Sequence, residues 1–110
     1  MSVVDERRRH ERTPVVLPAV LTRIGRRPTE SRGTTVDLSV GGAAILSSGE
    51  FSVGDVVVVS VLGPGVSVEQ QGLIVGRLAD PAGGAALNIA FKTVDDATAA
   101  DLERLLPPTA

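Results

Sequence analysis

The stretch DVVVVSVL at residues 55–62, followed at once by GPG at residues 63–65, decides the fold class of this chain. Valine is stiff at its first side-chain torsion, so it fits a pleated strand well and a helix less well. The glycines and the proline then break the strand. Residues 66–78 are predicted to form a second strand or a bent pair, in which Gly72 and Gly76 mark a bulge or a close approach of two backbones. This part of the chain is therefore predicted to be β structure.

The same alternation of short apolar runs with turn residues extends in both directions. Further strands are predicted at residues 15–25, 34–40, 43–47 and 85–92. Turns or loops are predicted at residues 26–33, 41–42, 48–54 and 80–84. Pro18 restricts the first of these strands to a sheet edge or a bulge, because proline has no N–H to donate.

The C-terminal segment ATAADLERLL, at residues 97–106, has a helical period instead. Its apolar side chains share one helical face, either Asp95 or Asp96 is suited to cap it, and Pro107 and Pro108 end it. The chain thus predicts about six short antiparallel strands and one helix. This is a small closed or sandwiched β fold, with the helix covering one open end.

The composition indicates one folded domain and excludes several kinds of chemistry. The chain has 110 residues, of which 43% are apolar and 22% charged, so it can bury a core. Tryptophan and tyrosine are missing and only two phenylalanines are present, too few rings to stack on single-stranded nucleic acid. The lack of cysteine excludes disulfides, thiolate metal sites and thiol catalysis. A single histidine, His10, argues against histidine metal sites and a serine hydrolase triad.

Two further features bear on the compartment. No apolar run reaches the roughly 20 residues needed to cross a bilayer. Residues 1–12 lack the apolar centre of a secretory signal. We therefore expect a cytoplasmic protein without membrane insertion.

Charge is distributed unevenly along the chain. Residues 1–33 hold eight basic residues against four acidic ones, a net charge of +4, whereas residues 34–110 hold three against nine, a net charge of −6. Ten of the eleven basic residues are arginine, whose planar fork binds phosphate and guanine through two hydrogen bonds. A basic first third on an acidic body predicts a local anion site and not a general affinity for polyanions.

Arg8 and Arg12 stand out within RRRHER at residues 7–12. On a helix, their four-residue spacing places both guanidiniums on one face. In an extended chain they also share a side, about 13 Å apart. In both geometries the guanidinium groups of Arg8 and Arg12 can bind one ligand of dinucleotide size. The alternative interpretation is a solvated basic N-terminus without a specific ligand.

A second cluster, DLSVGG, occupies residues 37–42. Asp37 and Ser39 are two apart, so on a strand they leave the same face. A carboxylate accepts hydrogen bonds from a guanine edge or from an arginine, and a hydroxyl can satisfy a phosphate or a base atom. Gly42 allows close approach of a backbone or a ligand. On its own, this cluster is equally typical of a simple turn.

Together and in this order, the two clusters resemble the paired signature of the PilZ domain family, R-x-x-x-R followed downstream by [DN]-x-S-x-x-G. The resemblance covers nearly the whole chain. DLSVGGAAI at residues 37–45 is similar to the family's strand–turn–strand, and GLIVGRL at 72–78 with GGAALNIAF at 83–91 is similar to its later strands.

The resemblance implies a mainly β fold, a six-stranded antiparallel β-barrel with a C-terminal α-helix. It also implies a receptor or adaptor that binds the bacterial second messenger cyclic di-GMP, changes shape and signals to a partner protein. The implied ligand-binding residues are Arg7, Arg8, Arg12, Asp37, Ser39 and Gly42, with Arg9, Gly41, Arg77 and Asn88 as weaker candidates. In the family, the residue immediately before the first motif arginine influences whether one ligand or an intercalated pair is bound. With Arg7 at this position, the chain resembles the members that bind a pair. We therefore expect two cyclic di-GMP molecules per chain.

The expected organisation is an arginine-rich arm at residues 1–14, a barrel at residues 15–106 with its helix at about 95–106, and a tail at residues 107–110. Cyclic di-GMP and an effector protein are the expected partners, with no DNA or RNA, no metal and no other cofactor. An enzyme is not expected, because the only acid–base pair near the motif is His10 with its neighbour Glu11.

Two other functions stay open. One is an interaction module of the same fold that has lost its ligand, against which the intact motif residues argue. The other is a small nucleic-acid-binding barrel, against which the scarcity of aromatic rings, the acidic body of the chain and a pI of about 5.3 argue.

Overall fold

The computed structural model describes residues 12–25 and 29–107. Arg7, Arg8 and Arg9 of the predicted site lie outside these residues. Seven strands and one helix are found in the described part of the chain. They are β1 (Thr13–Pro14), β2 (Pro18–Arg23), β3 (Thr29–Leu38), β4 (Gly42–Ser47), β5 (Val56–Gly63), β6 (Val66–Ala79), β7 (Ala85–Phe91) and α1 (Asp96–Leu105).

Six of the strands close into an antiparallel barrel. Their order is β3-β2-β5-β6-β7-β4, and β4 pairs back with β3. The short strand β1 adds to β3 beyond the end of β2, with Thr13 opposite Leu38 and Pro14 opposite Asp37. The predicted fold class, a six-stranded antiparallel barrel with a C-terminal helix, is therefore confirmed, with β1 as an extra strand.

The valine-rich strand β5 shows how the core is built. Val57, Val59 and Val61 are at most 1% exposed and point into the barrel. The residues between them are half-buried on the outer wall, because successive side chains of a strand leave opposite faces. Leu21, Ile45, Ile74, Leu87 and Ile89 come from four other strands and complete the centre of the same core.

Both glycines singled out in β6 have the predicted roles. The β6–β7 register shifts between Ile74 and Gly76, which is a bulge. A Cβ on Gly72 would lie 2.9 Å from the carbonyl oxygen of Ala90, so this glycine permits a close approach of β6 and β7.

The N-terminal part of the sheet differs from the prediction at two places. The strand predicted at residues 15–25 is interrupted, and Pro18 is the first residue of β2. Thr35 bridges the interruption, because its Oγ1 donates to the carbonyl of Val15 and accepts from the N–H of Leu17. The turn predicted at residues 26–33 is too long, since β3 already begins at Thr29.

The start of β3 was missed because it contains hardly any apolar residue. Glu30 and Arg32 are exposed while Ser31 is half-buried, so the residues alternate as in any strand but with polar side chains on both faces. A Cβ on Gly33 would lie 2.3 Å from the carbonyl oxygen of Leu46, so this glycine allows β3 to approach β4 and close the barrel.

Helix α1 begins and packs as predicted. The carboxylate of Asp95 accepts a hydrogen bond from the N–H of Thr98 over 2.7 Å, which caps the helix. This hydrogen bond lowers the pKa of Asp95. Leu102 and Leu105 are buried in the barrel core, and Leu105 lies against Gly63 at the β5–β6 turn. The helix thus covers this end of the barrel, and within the described residues no helix is long and apolar enough to span a bilayer.

Candidate functional site

One row of four residues crosses the outer wall of the barrel on four adjacent strands. Asp37 in β3 pairs with Ala44 in β4, and Ala44 pairs with Asn88 in β7. Asn88 pairs in turn with Gly76 in β6. Directly paired residues project to the same side of an antiparallel sheet. Asn88 is exposed while both of its neighbours in β7 are buried, so the row faces outward.

Arg12 lies immediately before β1, and its side chain crosses this row. Its Nη1 donates to Asn88 Oδ1 over 2.8 Å and lies 3.4 Å from Asp37 Oδ1, with which it forms an ion pair. Its Nη2 lies 3.2 Å from the point that a Cβ on Gly42 would occupy. Ala44, which faces outward between the two partners, is only 8% exposed. The guanidinium therefore lies over β4, between β3 and β7.

Asp37 is fixed by the backbone as well as by Arg12. Its Oδ1 accepts a hydrogen bond from the N–H of Ala44 over 3.1 Å. The β3–β4 register shifts between Thr35 and Asp37, and such a bulge re-aims the side chain next to it. The side chains of Arg12 and Asp37 remain 30% and 29% exposed. Both charges therefore stay accessible to a ligand from solvent.

The turn that leads from β3 into β4 contains Ser39 and Gly41, and Gly42 follows it as the first residue of β4. Ser39 is 2% exposed, and its Oγ accepts from the N–H groups of Gly41 and Gly42 over 3.1 and 3.2 Å. The prediction that Ser39 shares a strand face with Asp37 is wrong, because β3 ends at Leu38 and the hydroxyl turns onto the backbone. The turn predicted at residues 41–42 is also displaced, since the connection between the strands is residues 39–41 and Gly42 already begins β4.

Gly42 is required by the packing of β4 against β7. A Cβ at this position would lie 2.3 Å from the carbonyl oxygen of Ile89, a distance that no side chain tolerates. The carbonyl of Gly41 accepts from the N–H of Phe91, which extends the same pairing by one residue. The two glycines therefore allow β4 to pair closely with β7, and this pairing places β4 beneath Arg12.

The structure brings together part of the predicted site. Arg12, Asp37, Gly42 and Asn88 meet at one place on the wall, and Ser39 with Gly41 lies beneath it in the turn. Arg77 is exposed on β6 and pairs with Leu87, so the register does not place it in the row. Sequence reasoning ranked Asn88 low and missed Ala44 altogether. Gly76 was noticed only as a bulge, and no local signal connects it with Asn88.

This surface carries groups that can bind a ligand. The guanidinium of Arg12 offers a planar fork of donors, the carboxylate of Asp37 offers acceptors, and the neighbouring residues Gly42 and Ala44 are small. Among residues 12–25 and 29–107, no cluster of three histidine, aspartate or glutamate side chains is arranged to hold a metal ion.

Several solved structures share this fold. The Bacillus subtilis inhibitor of motility (MotI/DgrA) aligns with a TM-score of 0.72 and 19% identity, over 90% of this chain and 49% of that one, so this chain spans about half its length. The PilZ domain of YcgR from Escherichia coli, solved with c-di-GMP, gives a TM-score of 0.69 and 20% identity over 91% and 88% of the two chains. The PilZ domain of CeSA from a cellulose-synthesizing bacterium gives 0.65 and 22% over 87% and 94%.

Sequence comparisons lead to the same group of proteins. No curated protein sequence matches this chain closely enough to count as a relative. The sequence model of the PilZ domain, however, matches residues 6–106. These residues include the arginine-rich cluster, the DLSVGG cluster and the whole barrel. With the closed barrel, the C-terminal helix and this match over most of its length, the chain belongs to the PilZ domain family.

Proposed function

We propose that this chain is a cyclic di-GMP receptor that signals ligand binding to a partner protein. The observation that carries the proposal is the meeting of the two sequence motifs on one surface. Arg12, the last residue of the first motif, forms an ion pair with Asp37, the first residue of the second. The same guanidinium lies next to Gly42, the last residue of the second motif.

The ligand matches the groups on this surface. Cyclic di-GMP presents two phosphates and two guanines, and both the phosphate oxygens and the O6/N7 edge of guanine are preferred targets of arginine. An ionised carboxylate has about four lone-pair sites, so Asp37 can accept from a guanine edge while it stays bonded to Ala44. Bound in this way, the ligand lies against the outer wall of β3, β4 and β7.

The arginine-rich arm supplies the remaining charge in this proposal. Arg8 adds a second fork, Arg9 contributes to the positive field, and Arg7 meets a second ligand molecule, so that two molecules bind per chain. The net charge of +4 over residues 1–33 supports this role, because two ligands bring four phosphate charges to the acidic barrel.

The family supports a binding or adaptor role and not catalysis. One solved relative is described as a PilZ domain with c-di-GMP, and another as an inhibitor of motility. We propose by analogy that the ligand-bound chain acts in the cytoplasm on an effector protein, without DNA or RNA and without a further cofactor.

Calorimetric titration with cyclic di-GMP tests the proposal. We expect binding to the parent, and for Arg12→Ala a loss of at least about 2 kcal/mol, or about 30-fold in Kd, because this substitution leaves the carboxylate without its cation. Arg104→Ala is the matched control, since Arg104 is an exposed arginine on α1 whose guanidinium contacts Asp101. It should bind like the parent.

Two results would contradict the proposal. If the folded parent gives no binding heat with cyclic di-GMP, the chain is an interaction module without this ligand. If single-stranded DNA of arbitrary sequence binds as well as cyclic di-GMP, the site recognises phosphate in general. A thermal melt of each variant without ligand shows whether a loss of binding reflects a loss of fold.

A further inference from the structure

The guanidinium of Arg12 is held at two points of unequal strength. The contact between Nη1 and Asp37 Oδ1 is 3.4 Å long, which exceeds the usual range of an N–H···O hydrogen bond. The contact between Nη1 and Asn88 Oδ1 is 2.8 Å, well within that range. The neutral amide, and not the carboxylate, therefore makes the closer contact that orients the fork.

The amide is itself confined by the neighbouring strand. A Cβ on Gly76 would lie 3.3 Å from Nδ2 and 3.4 Å from Cβ of Asn88, so the backbone of β6 is against one side of this residue. The bulge between Ile74 and Gly76 sits directly opposite Asn88. The side chain of Asn88 thus packs against the backbone of β6 on one side and contacts Arg12 on the side of β4.

Among the described residues that meet at this place, the charges add up to zero. Arg12 contributes one positive charge, Asp37 contributes one negative charge, and Asn88 contributes none. A carboxylate at position 88 would have the same shape and could accept the same hydrogen bond, but it would leave the cluster with a net negative charge. An anionic ligand is repelled by such a cluster at close range.

We propose that Asn88 is a positioning residue for Arg12, which orients the guanidinium toward an anionic ligand without neutralising it. This inference rests on the proposed function, because it takes cyclic di-GMP as the ligand. It assigns Asn88 an effect through Arg12 and not through contact with the ligand. An alanine at this position loses the orientation, and an aspartate keeps the orientation but adds the charge.

The two substitutions are predicted to differ in their dependence on salt. Asn88→Ala should raise the Kd for cyclic di-GMP about five- to tenfold at every salt concentration, since one hydrogen bond is lost and no charge changes. Asn88→Asp should raise it more than Asn88→Ala at low salt, and this difference should shrink as salt screens the added charge.

Gln71→Glu is the matched control for the added charge. Gln71 is exposed on β6, and its carbonyl accepts from the N–H of Lys92, four residues after Asn88. The new carboxylate therefore lies about 13 Å along the strands from Asn88. This variant should bind within about twofold of the parent at a salt concentration of about 0.15 M, where charges farther apart than about 8 Å are largely screened.

Nitrogen-resolved NMR of the Arg12 guanidinium in the ligand-free protein gives a readout that does not depend on binding. We expect separate, slowly exchanging Nη signals in the parent and in Asn88→Asp, and averaged signals in Asn88→Ala. Thermal melts should be alike, because Asn88 points outward between the buried residues Leu87 and Ile89.

The inference is overturned if Asn88→Ala leaves both the Kd and the Arg12 signals unchanged, or if Asn88→Asp binds as tightly as the parent at low salt. If the parent gives no binding heat at all, the proposed function fails instead. The NMR comparison then decides separately whether Asn88 holds Arg12.

Discussion

At the scale of single residues, Ser39 shows how a hydroxyl can shape a candidate site through the backbone. It is 2% exposed and accepts from two consecutive N–H groups in the turn between β3 and β4. Its own N–H donates to the carbonyl of Gly42. These bonds set where β4 begins, and β4 is the strand over which Arg12 lies.

Ser39→Ala should therefore destabilise the protein even without ligand. The substitution leaves two N–H groups in the turn without their acceptor, for which we expect a loss of about 1–3 kcal/mol in the free energy of unfolding. Urea unfolding of the ligand-free protein measures it. Ser67→Ala, at an exposed position of β6, is the control and should unfold like the parent. A parent-like stability of Ser39→Ala would show that the turn does not depend on this hydroxyl.

The residues of the site were predictable to different degrees. The motif spacing pointed to Arg12, Asp37 and Gly42 because each lies within a short, recognisable cluster. Asn88, the hydrogen-bond partner of Arg12, is 76 positions away in sequence. Its place beside Arg12 depends on the register of β7 against β4. Such a register is set by the closure of the whole barrel and by the bulges in β3 and β6, neither of which a local pattern contains.

At the scale of elements, α1 depends on the carboxylate at its start. The N–H of Thr98 donates to Asp95, and this hydrogen bond lowers the pKa of Asp95 in the folded protein. A carboxyl whose pKa is lower in the folded than in the unfolded state stabilises the fold above its unfolded pKa of about 4. That contribution is lost as the pH falls through the lower, folded pKa.

Asp95→Asn and Asp95→Ala separate the cap from its charge. Asparagine caps a helix about as well but does not titrate, whereas alanine provides no acceptor. At about pH 7 we expect thermal stability to decrease from the parent to Asp95→Asn to Asp95→Ala. At about pH 3 the difference between the parent and Asp95→Asn should shrink.

Thermal melts followed by circular dichroism measure both comparisons, with Glu103→Gln on the exposed face of α1 as the control. If the parent and Asp95→Asn respond to pH in the same way, the charge of Asp95 does not contribute through the cap.

The elements themselves were easiest to predict where a short apolar run lies between turn residues. β5 and β7 are such runs, and the burial of every second residue in them becomes visible only in the barrel. β3 was found only in its second half, because Thr29–Gly33 is polar on both faces. Its first half is a strand because β2 pairs with it from Thr29 to Thr34, which is a property of the sheet and not of the segment.

At the scale of the whole molecule, the proposal of two bound ligands depends on the uneven charge of the chain. The first 33 residues carry +4 and the remainder −6, and two cyclic di-GMP molecules add four negative charges. Packing these charges together is unfavourable unless cations lie close by. Arg7, next to the first motif arginine, is the residue that we expect to meet the second molecule.

Arg7→Leu should therefore lower the stoichiometry from two ligands per chain toward one, while Arg8 and Arg12 still bind the first. Titration calorimetry at several salt concentrations gives the number directly. Arg32→Leu removes a cation from the same basic third, at an exposed position of β3, and should leave the number at two. Saturation of the parent at one ligand would refute the pair, and a value of two in Arg7→Leu would show that Arg7 is not needed for it.

The pairing of Pro14 with Asp37 and of Thr13 with Leu38 has a consequence for how the length of the chain can vary. Strand parity has a period of two, so one residue inserted between Arg12 and β1 turns the guanidinium to the opposite side of the sheet. Two inserted residues restore the side but displace the guanidinium by about 6–7 Å. The register of β1 against β3 thus determines the distance between the charges of Arg12 and Asp37. We therefore expect an insertion or deletion between Arg12 and Pro14 to remove the contacts of Arg12 with Asp37 and Asn88.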